Sequence, residues 1–247
     1  MNDSHEGLWL DRVVQTVLDK NSASMSDANR RDFVTGYQLN KPRPFIFCLS
    51  SEPDILSQWR AYSNDGTGVA IGYDASIFPR RQHFPSTNFA PAQNTALWEV
   101  IYESSDQQNA VNSLFDRGRA SPDILVAEGG KPEYQLLGTL IAGLAPLIKN
   151  PAFREEKESR VIHTPRLMTN AENKHSLIGT SYTIGQRVSG DQIVTHFEFP
   201  LPEVLTGVIQ EIWIGPRSRL TKSDIELSLS INGYGKVSVQ MSSATYR

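Results

Sequence analysis

The stretch "FCLSSEPDILSQWRAYSNDGTGVAIGYD", residues 47–74, constrains the fold more tightly than any other part of the chain. The "KPRP" ahead of it favours extended backbone, and "FIFCLS" has the short aromatic and β-branched pattern of a buried strand. "EPDILSQWRAYS" reads as a short helix opening at Ser51 to Pro53, with Ile55, Leu56, Trp59 and Tyr62 on one side and Asp54 serving as a cap. "NDGTG" ends that helix in a turn, and "VAIGYD" is the next strand. Gly66, Gly68 and Gly72 therefore follow a helix and precede a strand. A dinucleotide-binding loop needs the opposite order, so these are turn glycines.

Strand and helix signals mix along the rest of the chain without regular alternation. "GLWLDRVVQTVLDK" places Leu8, Val13, Val14, Val17 and Leu18 at helical spacing, with Asp3 or Ser4 as the cap. Residues 79–96 read as a surface loop, "LWEVIYE" as a strand, and residues 107–150 as mostly helical with a break at "EGGKPEY". "RVIH" is a strand signal. Further strands are expected at "SYTIGQRV", "IVTHFEFPL", "VIQEIWIGP" and "KVSVQMS", with a helix at "TKSDIELSLSINGY" before the last. This pattern predicts a single α+β domain over residues 1–247, a mixed sheet with flanking helices rather than a doubly wound one.

Composition narrows the partners. The 24 Lys and Arg against 27 Asp and Glu leave a formal charge of −3, so no summed positive field points to nucleic acid or an anionic membrane. The single cysteine, Cys48, rules out an internal disulfide and a thiolate zinc knuckle, which suits a reducing cytoplasm. The apolar run at 136–148 is too short for a bilayer and contains Pro146, and no export signal is present. His5, His83, His163, His175 and His196 include no pair at helical ligand spacing, so no metal site is expected from them.

Two places carry candidate chemistry. In "FREEKESRV", extended backbone would put Glu156, Glu158 and Arg160 in one row on a strand face. The competing reading is a solvated helix end with Glu155 and Glu158 one turn apart. A carboxylate at the mouth of the "RVIH" strand has the rigid support that catalytic geometry requires. Trp59, Arg60 and Tyr62 read either as core aromatics with polar tips or as the wall of a pocket, with Arg60 available to a phosphate. A metal-dependent nuclease assembled from Pro53, Asp54, Glu155 and Lys157 is a weaker option. Its two pairs lie about a hundred residues apart and capping already explains Asp54.

The stretch at 47–74 resembles the signature of a bacterial family catalogued as domain of unknown function 2971: a Cys-Phe-Ser strand, a Trp-x-x-Tyr helix and a Gly-Val-x-Ile-x-Phe strand, here with Leu49 in place of the usual Phe. "FREEKESRVI" is similar to its Glu-x-Glu-x-Arg block, "VIQEIWIGPR" to its Ile-Gly-Pro block and "VQMSSATYR" to its closing Ser-x-x-Tyr-Arg. "MNDSHEG" resembles a loop that in relatives lies some thirty residues inside the domain. The resemblance thus implies that an upstream strand with a His-Tyr-Thr motif is absent from this chain. That motif order is in turn similar to the three-part active site of ADP-ribosyltransferases, which have a split sheet. Carried over, the resemblance implies NAD as substrate, Ser50 as the strand serine, Glu158 as the catalytic glutamate, and Trp59, Arg60, Tyr62, Glu156 and Arg160 around the nucleotide. The acceptor is left open, and a toxin or phage-defence role is an expectation from the enzyme class alone. The alternative from another class is a non-catalytic domain that binds a nucleotide or a protein.

Overall fold

The computed structural model describes residues 6–20, 25–39, 44–81, 94–120, 134–178, 180–202 and 206–245. The caps Asp3 and Ser4, His5, His83, most of "EGGKPEY" and the closing Tyr246–Arg247 lie outside the described residues. The fold is α+β, and the described residues form helices, two three-stranded sheets and two hairpins. The chain divides into two compact units interleaved in sequence. One comprises Met1–Cys48, Arg80–Glu155 and Ser159–Ser181, the other Leu49–Pro79, Glu156–Glu158 and Tyr182–Arg247.

The first unit has a helical core. Helix α1, Glu6–Lys20, buries Leu10, Val13, Val14, Val17 and Leu18, although the expected Leu8 is exposed. Helix α2, Asp27–Leu39, was hidden in the sequence by its polar composition. It buries only Phe33, Gly36 and Tyr37. These face helix α5, Tyr134–Ala142, which buries Leu137, Gly138, Ile141 and Ala142. The two backbones touch. A Cβ at Gly36 would sit 1.8 Å from the Gln135 carbonyl oxygen, and one at Gly138 would sit 2.2 Å from that of Phe33. Helix α4, Ser104–Ala120, adds Val111, Leu114 and Phe115, and the Phe115 ring stacks on Phe33 at 5.4 Å between centroids. Where α4 begins, the fully buried Gln107 donates to the carbonyls of Ile101, Tyr102 and Lys149 and accepts from Trp9 Nε1.

Three strands, β1 (Phe45–Ser50), β3 (Thr95–Glu99) and β4 (Glu158–His163), form a sheet with β4 in the middle. The central place explains why β4 is buried along nearly its whole length, while β1, an edge strand, is half-buried to exposed rather than buried as its sequence suggests. Strand β3 starts earlier than its sequence signal. Asn94, Thr95 and Ala96, read as loop, are buried, because Thr95 pairs with His163 and Ala96 with Ile162. A short hairpin of β5 (Arg166–Thr169) and β6 (His175–Ile178) completes this unit.

The second unit is built on a different sheet. Strand β9, Ile209–Ile214, pairs antiparallel with β2, Val69–Tyr73, and parallel with β10, Ser238–Met241. A parallel pair needs a crossover, and helix α6, Lys222–Ile231, supplies it, opened by a reciprocal capping box between Thr221 and Asp224. Ile225 and Leu229 of α6 pack on Ile209, Ile212, Ile214 and Val239. The hairpin of β7 (Thr183–Ser189) and β8 (Gln192–Glu198) is followed by Phe199, whose ring meets those of Tyr182 and Phe78. No helix among the described residues is long and apolar enough to cross a membrane.

Candidate functional site

In the second unit, the residues after β1 lie against those before β4. The Ser50 hydroxyl donates to the Glu156 carbonyl at 2.8 Å and accepts from the Glu52 amide at 3.1 Å. The Ser51 amide donates to the Lys157 carbonyl at 3.0 Å, and Lys157 Nζ reaches Glu52 at 2.8 Å. Since the C-terminal end of β1 meets the N-terminal end of β4, the neighbouring strands run in opposite directions. Ser50 and the Glu156–Glu158 segment are thus brought together.

The expected row of three does not form. Pro151–Glu156 is a 3-10 helix, and Lys157 follows with φ 42°, in the left-handed region. The strand begins only at Glu158, so Glu156 stands outside it. The cause is local: Pro151 presets a turn, and the Asn150 side chain accepts from the Ala152 amide to start it. Glu158 and Arg160 do alternate onto one face of β4. Glu158 is 7% exposed. Arg160 falls in the first unit, 1% exposed, and donates to the Pro146 carbonyl at 2.7 Å.

Helix α3, Leu56–Tyr62, starts later than its sequence suggests. Its N-cap is Ile55, without a side-chain cap bond. Asp54 is therefore not a cap. Its carboxylate accepts from Trp59 Nε1 at 2.7 Å, from Ser242 Oγ at 2.5 Å, and from the amide and hydroxyl of Ser243, each at 2.8 Å. Partial burial pushes the Asp54 carboxyl up, but the bonds from Ser242, Trp59 and Ser243 outweigh it and hold the group below its ordinary value. Trp59 is 3% exposed, so it is a core aromatic with a polar tip, whereas Arg60 is exposed and Tyr62 is 55% exposed. Asp54 is thus taken up by these donors, and Lys157 is held on Glu52.

The turn behind α3 closes the same region. Asn64, Asp65 and Gly66 all have positive φ, and the Gly66 and Gly68 carbonyls accept from the amides of Arg217 and Gly215. A Cβ at Gly215 would sit 2.5 Å from the Gly66 oxygen, so this contact requires glycine there. The "NDGTG" turn and the "IGPR" block thus meet backbone to backbone, and Arg217 pairs with Asp65. Elsewhere, in the first unit, Glu99, Tyr102, Glu103, Asp106 and Arg154 line an open groove that contains none of the expected site residues.

What the sequence does not reveal about Asp54 is its partnership with the closing serines. They come 188 and 189 positions later, and the only available signal was the closing Ser-rich block "SSATYR".

Residues 58–161 match the family described as Protein of unknown function (DUF2971), the family that the sequence motifs resemble. The match runs from within α3 through most of β4. It stops short of the Ile-Gly-Pro block and the closing serines. No curated protein and no solved structure matches the chain.

Proposed function

We propose that the chain is an ADP-ribosyltransferase-like domain acting on NAD, with Glu158 as the carboxylate beside the reacting ribose and Ser50 as the serine that fixes the strand end. The observation that carries this reading is the bond from Ser50 to the Glu156 carbonyl across 106 positions of sequence, which sets the serine strand beside the glutamate strand. In such a reaction the bond between ribose C1′ and the nicotinamide nitrogen breaks, and its electron pair leaves with nicotinamide. An acceptor nucleophile then bonds to C1′ and loses its proton. The transition state is oxocarbenium-like, and a carboxylate fixed on a rigid strand, away from bulk water, stabilises it more strongly than the same group would in solution. Arg60 and Tyr62, on the exposed side of α3, are the residues for phosphate and ring contacts. The reading also places the chain in a reducing cytoplasm, where the exposed Cys48 remains a thiol.

The test is incubation of the chain with adenylate-labelled NAD, following label transfer and free nicotinamide, beside Glu158→Gln. Loss of both in a variant with unchanged circular dichroism is the expected outcome. Transfer unaffected by the substitution removes Glu158 from the chemistry.

A second reading, nucleotide binding without turnover, draws on the burial of Glu158 and on the Ser50 hydroxyl being engaged both as donor and as acceptor. Calorimetry separates the two: NAD bound with no nicotinamide released over a long incubation supports binding alone.

A further inference from the structure

We propose that Asp54 is a positioning residue that clasps the C-terminal segment to the loop after β1, and so holds Ser50 and Glu52 against residues 156–158. This inference rests on the reading of Ser50 and Glu158 as the site. The short loop is pinned at both ends. At its start, the Ser51 amide is bound to the Lys157 carbonyl and Glu52 to Lys157 Nζ. At its end, Asp54 gathers four donors, one from the adjacent helix α3 and three from Ser242 and Ser243 at the far end of the chain.

Two of the donating residues are themselves anchored. Trp59 is a core residue of α3, and its carbonyl accepts from the amides of Ser63 and Gly66. Ser242 extends β10, with its amide on the Ile214 carbonyl at 2.8 Å, and its hydroxyl also accepts from the Ala244 amide. Asp54 thereby converts the fixed positions of α3 and the β9–β10 edge into a fixed position for the loop carrying Ser50. A carboxylate suits the role, since charge-assisted bonds are shorter and roughly twice as strong as neutral ones. A loop with only Pro53 to stiffen it would otherwise sample many backbone states. The closing Ser-Ser pair thus acquires a function in the site although it lies at the far end of the sequence.

Hydrogen exchange of the full chain, read amide by amide, tests the clasp without depending on turnover. Asp54→Asn is expected to raise the exchange of the Ser51 and Glu52 amides by tenfold or more, while the Ile212 amide in the same unit stays within twofold. Asp54→Glu, which keeps the carboxylate, is expected to restore protection toward the wild-type value. The double variant Ser242→Ala/Ser243→Ala leaves Asp54 in place and is expected to reproduce the local loss. Ser51 and Glu52 protection within twofold of wild type in both Asp54→Asn and the serine variant overturns the clasp. Uniform loss across Ser51, Glu52 and Ile212 also overturns it, since that reports general destabilisation. The wild-type NAD assay stands apart from these readouts. Local loss of protection together with a wild-type chain that never binds NAD refutes the proposed function and supports the clasp.

Discussion

The glycine crossing of α2 and α5 sets two effects of known size against each other. Replacing a helical glycine by alanine stabilises an isolated helix by about 1 kcal/mol, because the backbone loses less freedom on folding. At Gly138 the new Cβ would lie 2.2 Å from the Phe33 oxygen and 2.7 Å from the Tyr37 nitrogen. Moving from 2.2 Å to the 3.0 Å below which real Cβ atoms essentially never come requires the helices to part by about 0.8 Å, a shift at which packed surfaces forfeit roughly a quarter to a half of their dispersion well. Gly36, at 1.8 Å from the Gln135 oxygen, requires about 1.2 Å. The loss falls on Phe33, which is fully buried and stacked on Tyr37 and Phe115. Overpacking of this kind costs about 1–3 kcal/mol and more where backbone rather than side chain must yield, so the clash outweighs the propensity gain. Gly138→Ala and Gly36→Ala are each expected to destabilise by about 2 kcal/mol net, measured by guanidinium unfolding followed by far-ultraviolet circular dichroism. The double variant should cost less than the two singles together, since one separation relieves both contacts. A neutral or stabilised Gly138→Ala refutes the reasoning.

Other substitutions probe single interactions. Gln107→Leu removes the acceptor of the Trp9 indole N–H and a donor to the Ile101, Tyr102 and Lys149 carbonyls, and at about 1–3 kcal/mol for a buried group left unsatisfied a loss of about 2 kcal/mol is expected in the same unfolding assay. Lys157→Ala and Lys157→Gly both remove the ion pair with Glu52. Their difference therefore isolates the left-handed backbone at φ 42°, and the glycine variant should be the more stable by about 1 kcal/mol. His163 is held below its usual 6.5 because burial outweighs the raising effect of its backbone bond with Asn94. The unfolded chain therefore takes the proton first, and the contribution of His163 to stability is intact above 6.5 and erodes as pH falls from there to the folded value. His163→Gln is expected to flatten that part of the stability profile, measured by thermal unfolding between pH 5 and 7.5.

Periodic burial made some elements readable and distant pairing hid others. Helix α1 and the buried run of α5 follow from apolar spacing, and β2, β9 and β10 from their β-branched runs, because each buries a face whose pattern is local. Helix α2 did not show itself. Its buried set of Phe33, Gly36 and Tyr37 includes a glycine whose value lies entirely in meeting Gly138, and no local window contains both. The sequence pattern pairs Ser50 with Glu158, whereas the bond that the structure shows runs from the Ser50 hydroxyl to the Glu156 backbone carbonyl. The break at Lys157, which removes Glu156 from the strand, was not anticipated, since periodicity says nothing of one residue turning left-handed. Ser, Asp and Pro before a helix usually mean a cap, while three of the four donors to Asp54 stand at the other end of the sequence.

The interleaving of the two units governs the order in which the chain can acquire its structure during synthesis. Strand β2 leaves the ribosome early, yet its partner β9 follows only after residues 74–208 have been made, and β10 later still. The apolar side of β2 must wait through that interval without its sheet, whereas α1, α2, α4 and α5 can already consolidate around Phe33. Neither unit corresponds to one continuous segment. A fragment cut anywhere between residues 51 and 237 therefore severs one sheet or the other, and nascent chains stalled before residue 209 should be the ones that chaperones hold.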